Sequence, residues 1–385
     1  MNRISRDEIR ELASKEGDTM ISIYLPTHRR GAEVQQNHIR FKNLLSKTLN
    51  QLDDLGLRKK EIDSLIEPAN DLLNNRDFWE HQEDGLAVFI APDYFRYYTL
   101  PVTVREMANV RNKFAVKQLT PLYNHSPEFY LLTLSQKQAR LFLGNRHELR
   151  EIDTGEMTDN MEEFMKHEDP ERQLQFHTGA GEASGGRAAV FHGHGAGSDE
   201  SERKEMITNY FYALDKGISE IISGSHLPLI LSGIEYYIPI YKKANSYNNL
   251  HSAAIEKNPD DMTEEELLRE ALNLLSKDSQ EIVDSLISKF NELVGSGKAS
   301  GEVGTALKQA YMNRVDTLLV DPTSEVHGKF ERDNNEVSFT DKDEPESEDL
   351  IEALVMETIL HNGDIHAVTE DKLPEQASVA AIFRF

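Results

Sequence analysis

The chain contains no cysteine among its 385 residues, and this absence removes several classes of protein at once. Without thiols there can be no disulfide, no thiolate nucleophile and no cysteine-based zinc or iron–sulfur site. No stretch reaches the ~20 consecutive apolar residues that a membrane span requires. Residues 1–8 show no apolar run of the kind that follows the charges of a secretory signal. We therefore expect a soluble cytoplasmic protein that does not engage a membrane.

Short motifs of nucleotide and ester chemistry are also missing. The sequence has no Walker loop, whose glycines and lysine would cradle the phosphates of a nucleoside triphosphate. It has no Gly-x-Ser-x-Gly elbow, which presents a nucleophilic serine at the end of a strand. These absences argue against nucleotide hydrolysis and against a serine hydrolase. Nothing in the sequence implies a cofactor.

Positive charge is scarce, because 42 Lys and Arg face 67 Asp and Glu, for a formal net charge of −25. Such a surface repels nucleic-acid phosphates on average, so we expect no binding of DNA. Residues 28–60, however, hold eight basic residues against three acidic ones, whereas residues 321–375 hold four against seventeen. A local basic patch can dock on RNA, and a solvated helix face explains the same charges. The candidates for RNA contact are His28, Arg29, Arg30, Arg40 and Lys42.

Glycine is concentrated in one stretch, residues 177–197, which holds seven of the 22 glycines and three of the 14 histidines. Glycine loses more conformational entropy on ordering than any other residue. Such a cluster is therefore costly unless the backbone turns sharply or approaches a ligand. The stretch has too few apolar side chains to form a core. It is either a flexible surface loop or the working end of the protein.

The histidines of this loop allow a metal site as an alternative. His192 and His194 lie on the same side of an extended segment, and His177 or Asp199 could complete the ligand set. Imidazole with carboxylate suits zinc, manganese or nickel. The flanking glycines leave these histidines unorganised, which argues against the site. A metal-dependent hydrolase or a ligand-binding protein that uses this loop is the alternative left open.

The apolar pattern predicts three consecutive α/β segments, which we place at residues 1–124, 125–246 and 247–385. Alternating apolar runs predict strands, and apolar spacings of three and four predict helices. The first segment has predicted helices at 6–16, 33–52 and 60–74 and strands at 20–27, 85–91 and 95–101.

The second segment is predicted to form a mixed sheet with helices packed on it. Its strands are placed at 128–134, 139–143, 148–152 and 228–234, with a helix that starts after Ser198 or Asp199. The third segment starts with a helical connector that has a capping box from Thr263 to Glu266 and ends near residue 294. It continues with helices at 302–314 and 349–361, strands at 316–320, 365–368 and 378–383, and an acidic loop after residue 320.

Several motifs in a fixed order resemble those of a known superfamily. The opening Tyr24-Leu-Pro-Thr-His-Arg-Arg-Gly-Ala-Glu33 is followed by Ile39-Arg-Phe-Lys-Asn-Leu-Leu45 and by the central Ala139-Arg-Leu-Phe142. The glycine loop comes next, and Arg314-Val-Asp-Thr-Leu-Leu-Val320 and Ala380-Ala-Ile-Phe-Arg384 complete the series. Together, over essentially the whole length, these motifs resemble the bacterial branch of the archaeo-eukaryotic peptide-chain release factor superfamily, whose relatives include pelota.

The resemblance implies a divergent amino-terminal domain, an RNase H-like middle domain with the long Gly-rich loop, and an L7Ae/L30e-like last domain. In true release factors the middle domain carries a Gly-Gly-Gln tripeptide in a loop before a helix. That tripeptide enters the peptidyl-transferase centre and promotes hydrolysis of peptidyl-tRNA. The matching position in this chain is Gly185-Gly186-Arg187. The implied partners are the ribosome, through rRNA and the tRNA acceptor end, and a translational GTPase.

Arg187 changes what this motif can do. Two glycines let a backbone N–H approach an ester closely enough to stabilise a developing oxyanion. Arginine keeps that N–H but replaces a neutral amide with a cation that suits phosphate better than water. RNA contact is therefore expected to survive better than hydrolysis. We predict a non-catalytic ribosome-binding factor of termination, rescue or hibernation, with peptidyl-tRNA hydrolysis through residues 185–187 as the alternative.

Overall fold

The computed structural model describes residues 4–123, 128–135, 137–155, 160, 161, 164, 196–344, 347–374 and 377–385. The chain forms two compact units, of which the first combines Met1–Ser126 with Gln280–Phe385 and the second is Pro127–Ser279. The predicted α/β class is confirmed, since both units combine sheets with helices. This division groups the first and last segments, and the predicted boundaries of three domains stay a prediction.

The amino-terminal part of the first unit is an antiparallel sheet with helices. Its elements are α1 (Arg6–Ser14), β1 (Glu16–Pro26), α2 (Val34–Asp54), α3 (Lys59–Asn74), α4 (Arg76–Glu80), β2 (Gly85–Ala91), β3 (Tyr94–Leu100) and β4 (Met107–Lys113). The strands pair in the order β3-β2-β1-β4. Phe41 and Leu45 of α2 share a buried core with Ile21 and Ile23 of β1. This packing explains why the predicted helix at 33–52 is confirmed.

Two elements of this part escaped the sequence analysis. β4 reads Met-Ala-Asn-Val-Arg-Asn-Lys, and of these residues only Val110 is buried. A strand with one buried side chain has no apolar alternation by which to recognise it. α4 is five residues long, which is too short for a helical period. The strand predicted at 20–27 also begins earlier, at Glu16, because β1 pairs with β4 from that residue on.

The carboxy-terminal part of the first unit contains two further sheets. Its elements are β10 (Ala299–Ser300), α8 (Val303–Tyr311), β11 (Val315–Val320), β12 (His327–Glu331), β13 (Glu336–Phe339), β14 (Glu348–Asp349), α9 (Leu350–Leu360), β15 (Asp364–Ala367) and β16 (Val379–Phe383). One sheet has the order β10-β16-β11-β15, in which only the β11–β15 pair is parallel. The other has the order β13-β12-β14.

The prediction of an acidic loop after residue 320 is wrong, because parts of this segment form the sheet of β12, β13 and β14. Phe330 pairs with Val337 and Lys329 with Ser338 across the hairpin. These strands are short and have few buried apolar side chains, so the sequence pattern does not reveal them, and cross-strand pairing stabilises them instead. The helix predicted at 302–314 is also shorter than expected. It ends at Tyr311, and Asn313 then adopts a left-handed conformation with φ of 58°.

One hydrophobic core spans the amino- and carboxy-terminal parts of the first unit. Tyr24, Phe89 and Phe114 from the first sheet are buried in the same cluster as Leu350 and Leu354 of α9. Burial of apolar area at about 25 cal/mol per Å² makes such a shared core the main force that holds the two parts together. The amino-terminal sheet is therefore covered by helix α3 and α2 on one face and by carboxy-terminal residues on the other.

Glu352 of α9 ties this core to the backbone that follows β4. Its Oε1 accepts hydrogen bonds from the N–H groups of Val116, at 2.6 Å, and Lys117, at 3.0 Å. The Lys117 ammonium forms an ion pair with Asp349, the N-cap residue of α9, and donates to the carbonyl oxygen of Ser324 at 2.5 Å. Burial raises the pKa of Glu352 to about 7, although Lys117 and the two N–H groups act in the opposite direction.

We predict that Glu352→Gln stabilises the protein at alkaline pH. The pKa of Glu352 is raised from 4.5 to about 7 on folding, so its carboxyl group costs stability above about pH 7 and ceases to do so below about pH 4.5. Glutamine keeps an Oε1 acceptor for both N–H groups. The free energy of unfolding at pH 8 should rise by on the order of 1 to 3 kcal/mol, and the gain should shrink as the pH falls from 7 towards 4.5.

Urea unfolding at a series of pH values measures this difference. Glu67→Gln, at an exposed position on α3, is the control and should change stability by less than about 0.5 kcal/mol. A loss of stability in Glu352→Gln at pH 8 would contradict the prediction. It would mean that the ionised carboxylate beside Lys117 stabilises the fold.

The second unit is built on a mixed sheet, as the sequence predicts. Its elements are β5 (Phe129–Leu134), β6 (Ala139–Gly144), β7 (Leu149–Glu151), α5 (Ala196–Ile221), β8 (Leu229–Gly233), α6 (Ile238–Ala244), β9 (Leu250–Ile255) and the first part of α7 (Glu264–Leu293). The sheet has the order β7-β6-β5-β8-β9. β5, β6 and β7 are antiparallel neighbours, and β8 is parallel to both β5 and β9.

The helix boundaries of this unit test the predicted capping residues. α5 begins at Ala196, so Ser198 and Asp199 lie in its first turn, and their predicted role as N-caps is wrong. An acidic residue is also favourable inside a first turn, where it faces the positive end of the helix dipole. The capping box of α7 is confirmed: Glu266 N–H donates to Thr263 Oγ1 at 3.2 Å, and Thr263 N–H donates to Glu266 Oε2 at 2.9 Å. None of the helices in the described ranges has the length and apolarity needed to cross a membrane.

Candidate functional site

The five residues predicted to contact RNA lie where β1 ends and α2 begins. Pro26 is the last residue of β1, residues 27–33 form a connecting loop, and α2 runs from Val34 to Asp54. His28, Arg29 and Arg30 are in the loop, whereas Arg40 and Lys42 are on the helix. We call this group the basic loop–helix surface.

Asn37 fixes the loop of this surface onto α2. It is fully buried, its Oδ1 accepts a hydrogen bond from the His28 N–H at 2.9 Å, and its Nδ2 donates to the His28 carbonyl at 3.0 Å. Both backbone groups of one loop residue are thus satisfied by a single side chain. A buried amide with its bonds made is stabilising, and one whose partner is removed costs about 1 to 3 kcal/mol. The position of the loop therefore depends on Asn37.

Arg40 connects the helix to the end of β1. Its Nη1 donates to the Pro26 carbonyl at 3.3 Å and lies 3.5 Å from His28 Nε2. Its Nε lies 3.6 Å from Glu106 Oε1, and His28 Nδ1 lies 3.6 Å from Glu33 Oε2. The structure therefore brings His28 and Arg40 together. Acidic neighbours offset part of their charge, so these two residues position the loop more than they add positive potential.

Arg30 and Lys42 are the exposed cations of this surface, while Arg29 is half-buried and engaged by a neighbour. An α-helix turns 100° per residue, so Lys42 projects about 200° around α2 from Arg40. The two helix cations therefore do not share a face. Lys42 instead lies one turn from Ile39, a side chain that is 47% exposed. Between Val34 and Leu52 the helix has no Asp or Glu, which is unusual in so acidic a chain.

The sequence analysis missed two residues of this surface. Asn37 gave no signal, because an asparagine in a polar part of a helix is ordinarily exposed. Glu106 directly precedes β4, the strand that the apolar pattern did not reveal. A buried asparagine opposite a tight loop could have been suspected only from the helical face that it shares with Phe41 and Leu44.

The other predicted site residues lie outside the described residues. This holds for the tripeptide Gly185, Gly186 and Arg187 and for the alternative metal ligands His177, His192 and His194. Among the residues that the structure does describe, no group of three or more His, Cys, Asp or Glu side chains is arranged to hold a metal ion. The roles of the loop residues stay predictions.

Comparison with protein families identifies the second unit. Residues 129–277 match the family described as "Bacterial archaeo-eukaryotic release factor family 7". The matched segment begins at the first residue of β5 and ends inside α7, so it covers the mixed sheet of the second unit. The predicted resemblance to the bacterial branch of the archaeo-eukaryotic release factor superfamily is confirmed over this segment. Within that branch the match is to family 7. No curated protein sequence matches the chain.

Comparison with solved structures finds similarity to archaeal proteins, including a translation termination factor and two Pelota proteins. The archaeal translation termination factor aRF1 is 14% identical, with 100% of this chain and 99% of that chain covered and a TM-score of 0.23. Archaeoglobus fulgidus Pelota is 10% identical, with 100% and 94% covered and a TM-score of 0.31. Pelota from a model of ribosome-bound archaeal Pelota and ABCE1 is 9% identical, with 100% and 95% covered and a TM-score of 0.38. At these identities and scores no property transfers from those proteins to this chain.

We predict that Asn37→Ala destabilises the first unit by about 1 to 3 kcal/mol, because the N–H and carbonyl of His28 lose their buried partner. Urea unfolding checks the value. Asn50→Ala, at an exposed position of α2, is the matched control and should stay within about 0.5 kcal/mol of the parent. Equal stability of Asn37→Ala and the parent would show that the loop does not depend on this side chain.

Proposed function

We propose that the protein is a non-catalytic ribosome-binding factor related to translation termination, rescue or hibernation. The observation that carries the proposal is the match of residues 129–277 to a bacterial release factor family. That segment is the one in which true release factors hold their tripeptide loop. In this chain residues 185–187, inside the match, read Gly-Gly-Arg. The proposal thus rests on two observations about the same segment, the family match and the Gly-Gly-Arg sequence inside it.

The topology of the second unit supports an RNase H-like assignment for the middle domain. Three consecutive strands pair as an antiparallel meander, and the first of them, β5, then takes β8 as a parallel neighbour on its other side. β9 extends the sheet in the same direction. This order, with the first strand at the centre, is the arrangement of an RNase H-like sheet. The L7Ae/L30e-like nature of the last domain is part of the same proposal.

The basic loop–helix surface is the proposed contact with rRNA. Arg30 and Lys42 are exposed, and α2 carries no acidic residue from Val34 to Leu52. The chain as a whole carries a large negative charge, which on average repels RNA, so a contact with RNA needs a local region that lacks acids. The absence of acids on α2 matters as much as the cations, because each phosphate contact must outweigh that repulsion. The expected contacts are with the RNA backbone.

The glycine loop is the proposed contact with the tRNA acceptor end. Two glycines allow close approach of the backbone, and Arg187 supplies a guanidinium, which binds phosphate in a bidentate manner. The same residue is unsuited to orienting a neutral water molecule for attack on an ester. Binding without hydrolysis follows from this chemistry. A translational GTPase that delivers the protein is part of the proposal.

We predict that the protein co-sediments with 70S ribosomes in a salt-dependent manner and that Arg29→Glu/Arg30→Glu weakens this binding at least about tenfold. Reversal of two charges in this loop removes positive potential and adds repulsion between the loop and the RNA backbone. Sedimentation across a salt series measures the effect. Binding that persists unchanged in the variant would exclude the basic loop–helix surface as the contact, and no binding at low salt would contradict the proposed function.

The control for this experiment is Lys59→Glu/Lys60→Glu. These adjacent lysines are exposed at the start of α3 and give the same change in net charge. If binding depends only on net charge, the two variants will lose affinity equally. If it depends on the proposed surface, only the first variant will. Thermal melting of both variants establishes that each is folded.

We predict no release of nascent peptide from stalled ribosomes above background, because Arg187 stands in place of glutamine. A puromycin-type release assay checks this with the intact protein. Arg187→Gln restores the tripeptide of true release factors and serves as the test of the loop itself. Release by the unaltered chain would establish the alternative, a peptidyl-tRNA ester hydrolase that acts through residues 185–187.

A further inference from the structure

A cavity of about 360 Å³ lies inside the first unit. One wall comes from β4 and the backbone that follows it, and the opposite wall comes from α9 and the segment around β12. Small-molecule sites in proteins have volumes of roughly 300 to 1,000 Å³ and combine an apolar lining with a few polar groups. The size of this cavity is therefore that of a ligand site.

The apolar part of the lining comes from both walls. Met107 and Phe114 lie on one side, and Ala353 and Met356 of α9 lie on the other. The side chains of Met107 and Met356 have three rotatable bonds each, so they can adapt to the shape of a bound ligand. The lining thus suits an apolar or flat group better than a fully polar one.

The charges of the lining set this cavity apart from the rest of the chain. Its described residues include six Lys and Arg but only five Asp and Glu, in a protein whose net charge is −25. Two of the lysines are already paired: Lys117 with Asp349, and Lys342 with Glu325 at 2.6 Å. Lys113 is paired with Glu16, which is outside the lining. Arg332 lies within ion-pair distance of Glu357, so the unpaired positive charge of the lining belongs to Arg105 and Arg111.

Three guanidinium groups of the lining retain free donors. Arg105 donates through Nη1 to the Thr323 carbonyl at 2.9 Å, and that is a neutral partner. Arg332 has a buried Nε without a hydrogen-bond acceptor, although Glu357 lies 3.7 Å away. Arg111 makes no side-chain hydrogen bond or ion pair with the part of the chain that the structure describes. A buried donor without an acceptor costs stability, and an oxyanion in the cavity would satisfy the Arg332 Nε.

Glu352 also lines the cavity, and its carboxyl group can donate a hydrogen bond only when it is protonated. Both of its hydrogen bonds from backbone N–H groups go to Oε1, so Oε2 can carry a proton without loss of either bond. The charged and titratable groups around it are Lys117, Asp349 and Tyr24. Because burial raises the pKa of Glu352 to about 7, a neutral carboxyl group that can donate a hydrogen bond is accessible near neutral pH.

We propose that this cavity binds a small organic anion with an apolar body, whose carboxylate, sulfonate or phosphate group is held by Arg105, Arg111 and Arg332. Guanidinium groups bind such oxyanions in a planar, bidentate manner. The apolar body would lie against Met107, Phe114 and Met356. Glu106 belongs both to the lining and to the basic loop–helix surface, but the proposed anion binding does not rest on the proposed function.

Isothermal titration with two probes tests the proposal: 8-anilinonaphthalene-1-sulfonate, an aromatic sulfonate, and adenosine monophosphate, a nucleotide. We expect one molecule of at least one probe to bind per chain. Arg111→Gln/Arg332→Gln should weaken binding by about tenfold or more, because the variant loses two charged hydrogen-bond donors to the anion. Binding of the nucleotide alone would assign a phosphate ligand, and binding of the sulfonate alone a non-phosphate anion.

The control is Arg146→Gln/Arg150→Gln, which makes the same change at two exposed arginines of the second unit. A third variant, Ala353→Leu, fills the cavity without a change of charge and should also abolish binding. Failure of both probes to bind the intact protein at millimolar concentration would overturn the proposal. Equal affinity of Arg111→Gln/Arg332→Gln and of Arg146→Gln/Arg150→Gln for the probe would overturn the proposal as well.

The pH dependence offers a second readout. The sulfonate probe keeps its charge between pH 6 and 8, so any change in its affinity reports the protein. We expect it to bind about threefold or more tightly at pH 6 than at pH 8, because an ionised Glu352 repels the anion. Glu352→Gln should remove this difference. A pH dependence that is the same in Glu352→Gln would exclude Glu352 from the site.

Discussion

The first unit depends on the burial of one face of the amino-terminal sheet by residues near the end of the chain. Phe89 and Phe114 would present a large apolar surface to water without Leu350 and Leu354 opposite them. A surface of that kind is rare on a stable monomer. The hydrogen bonds from the Val116 and Lys117 N–H groups to Glu352 connect α9 to the backbone that follows β4. The cavity lies where apolar side chains are replaced in the lining by charged ones, such as Arg105, Lys117 and Glu352.

Charge imposes the second constraint on this protein. An acidic surface discourages association with nucleic acids, so the proposed contact with RNA has to be confined to a small region. The amino-terminal loop and α2 meet that requirement through the lack of acids between Val34 and Leu52 as well as through their cations. Arg40 and His28 take part by holding the loop in place. In this surface His28 and Arg40 hold the loop, and Arg30 and Lys42 present their charges to solvent. The local distribution of charge therefore indicates the proposed RNA contact better than the net charge does.

The elements that the sequence predicts well either are apolar and buried over most of their length, such as β1, β5 and α9, or carry a buried apolar stripe at helical spacing, such as α2. The elements it misses are stabilised by partners rather than by their own pattern. β4 has a single buried side chain, and β12 and β13 are held by cross-strand pairs such as Phe330 with Val337. The same distinction applies to the sites. His28 could be proposed from local sequence, whereas Glu106 and Glu352 acquire their roles from residues distant along the chain, and Asn37 acquires its role from the folded position of the loop at His28. No periodicity of one segment encodes such contacts.

The division of the chain has a consequence for its synthesis. Residues 127–279 are continuous and can fold as soon as they leave the ribosome, but the first unit is split, with its two parts on either side of them. Translation at about 5 to 20 residues per second means that the amino-terminal sheet waits roughly 10 to 50 s for the strand and helices that complete its core. During that interval its apolar face is open to chaperones or to other nascent chains. A protein arranged in this way is most vulnerable to aggregation before its last segment has been made.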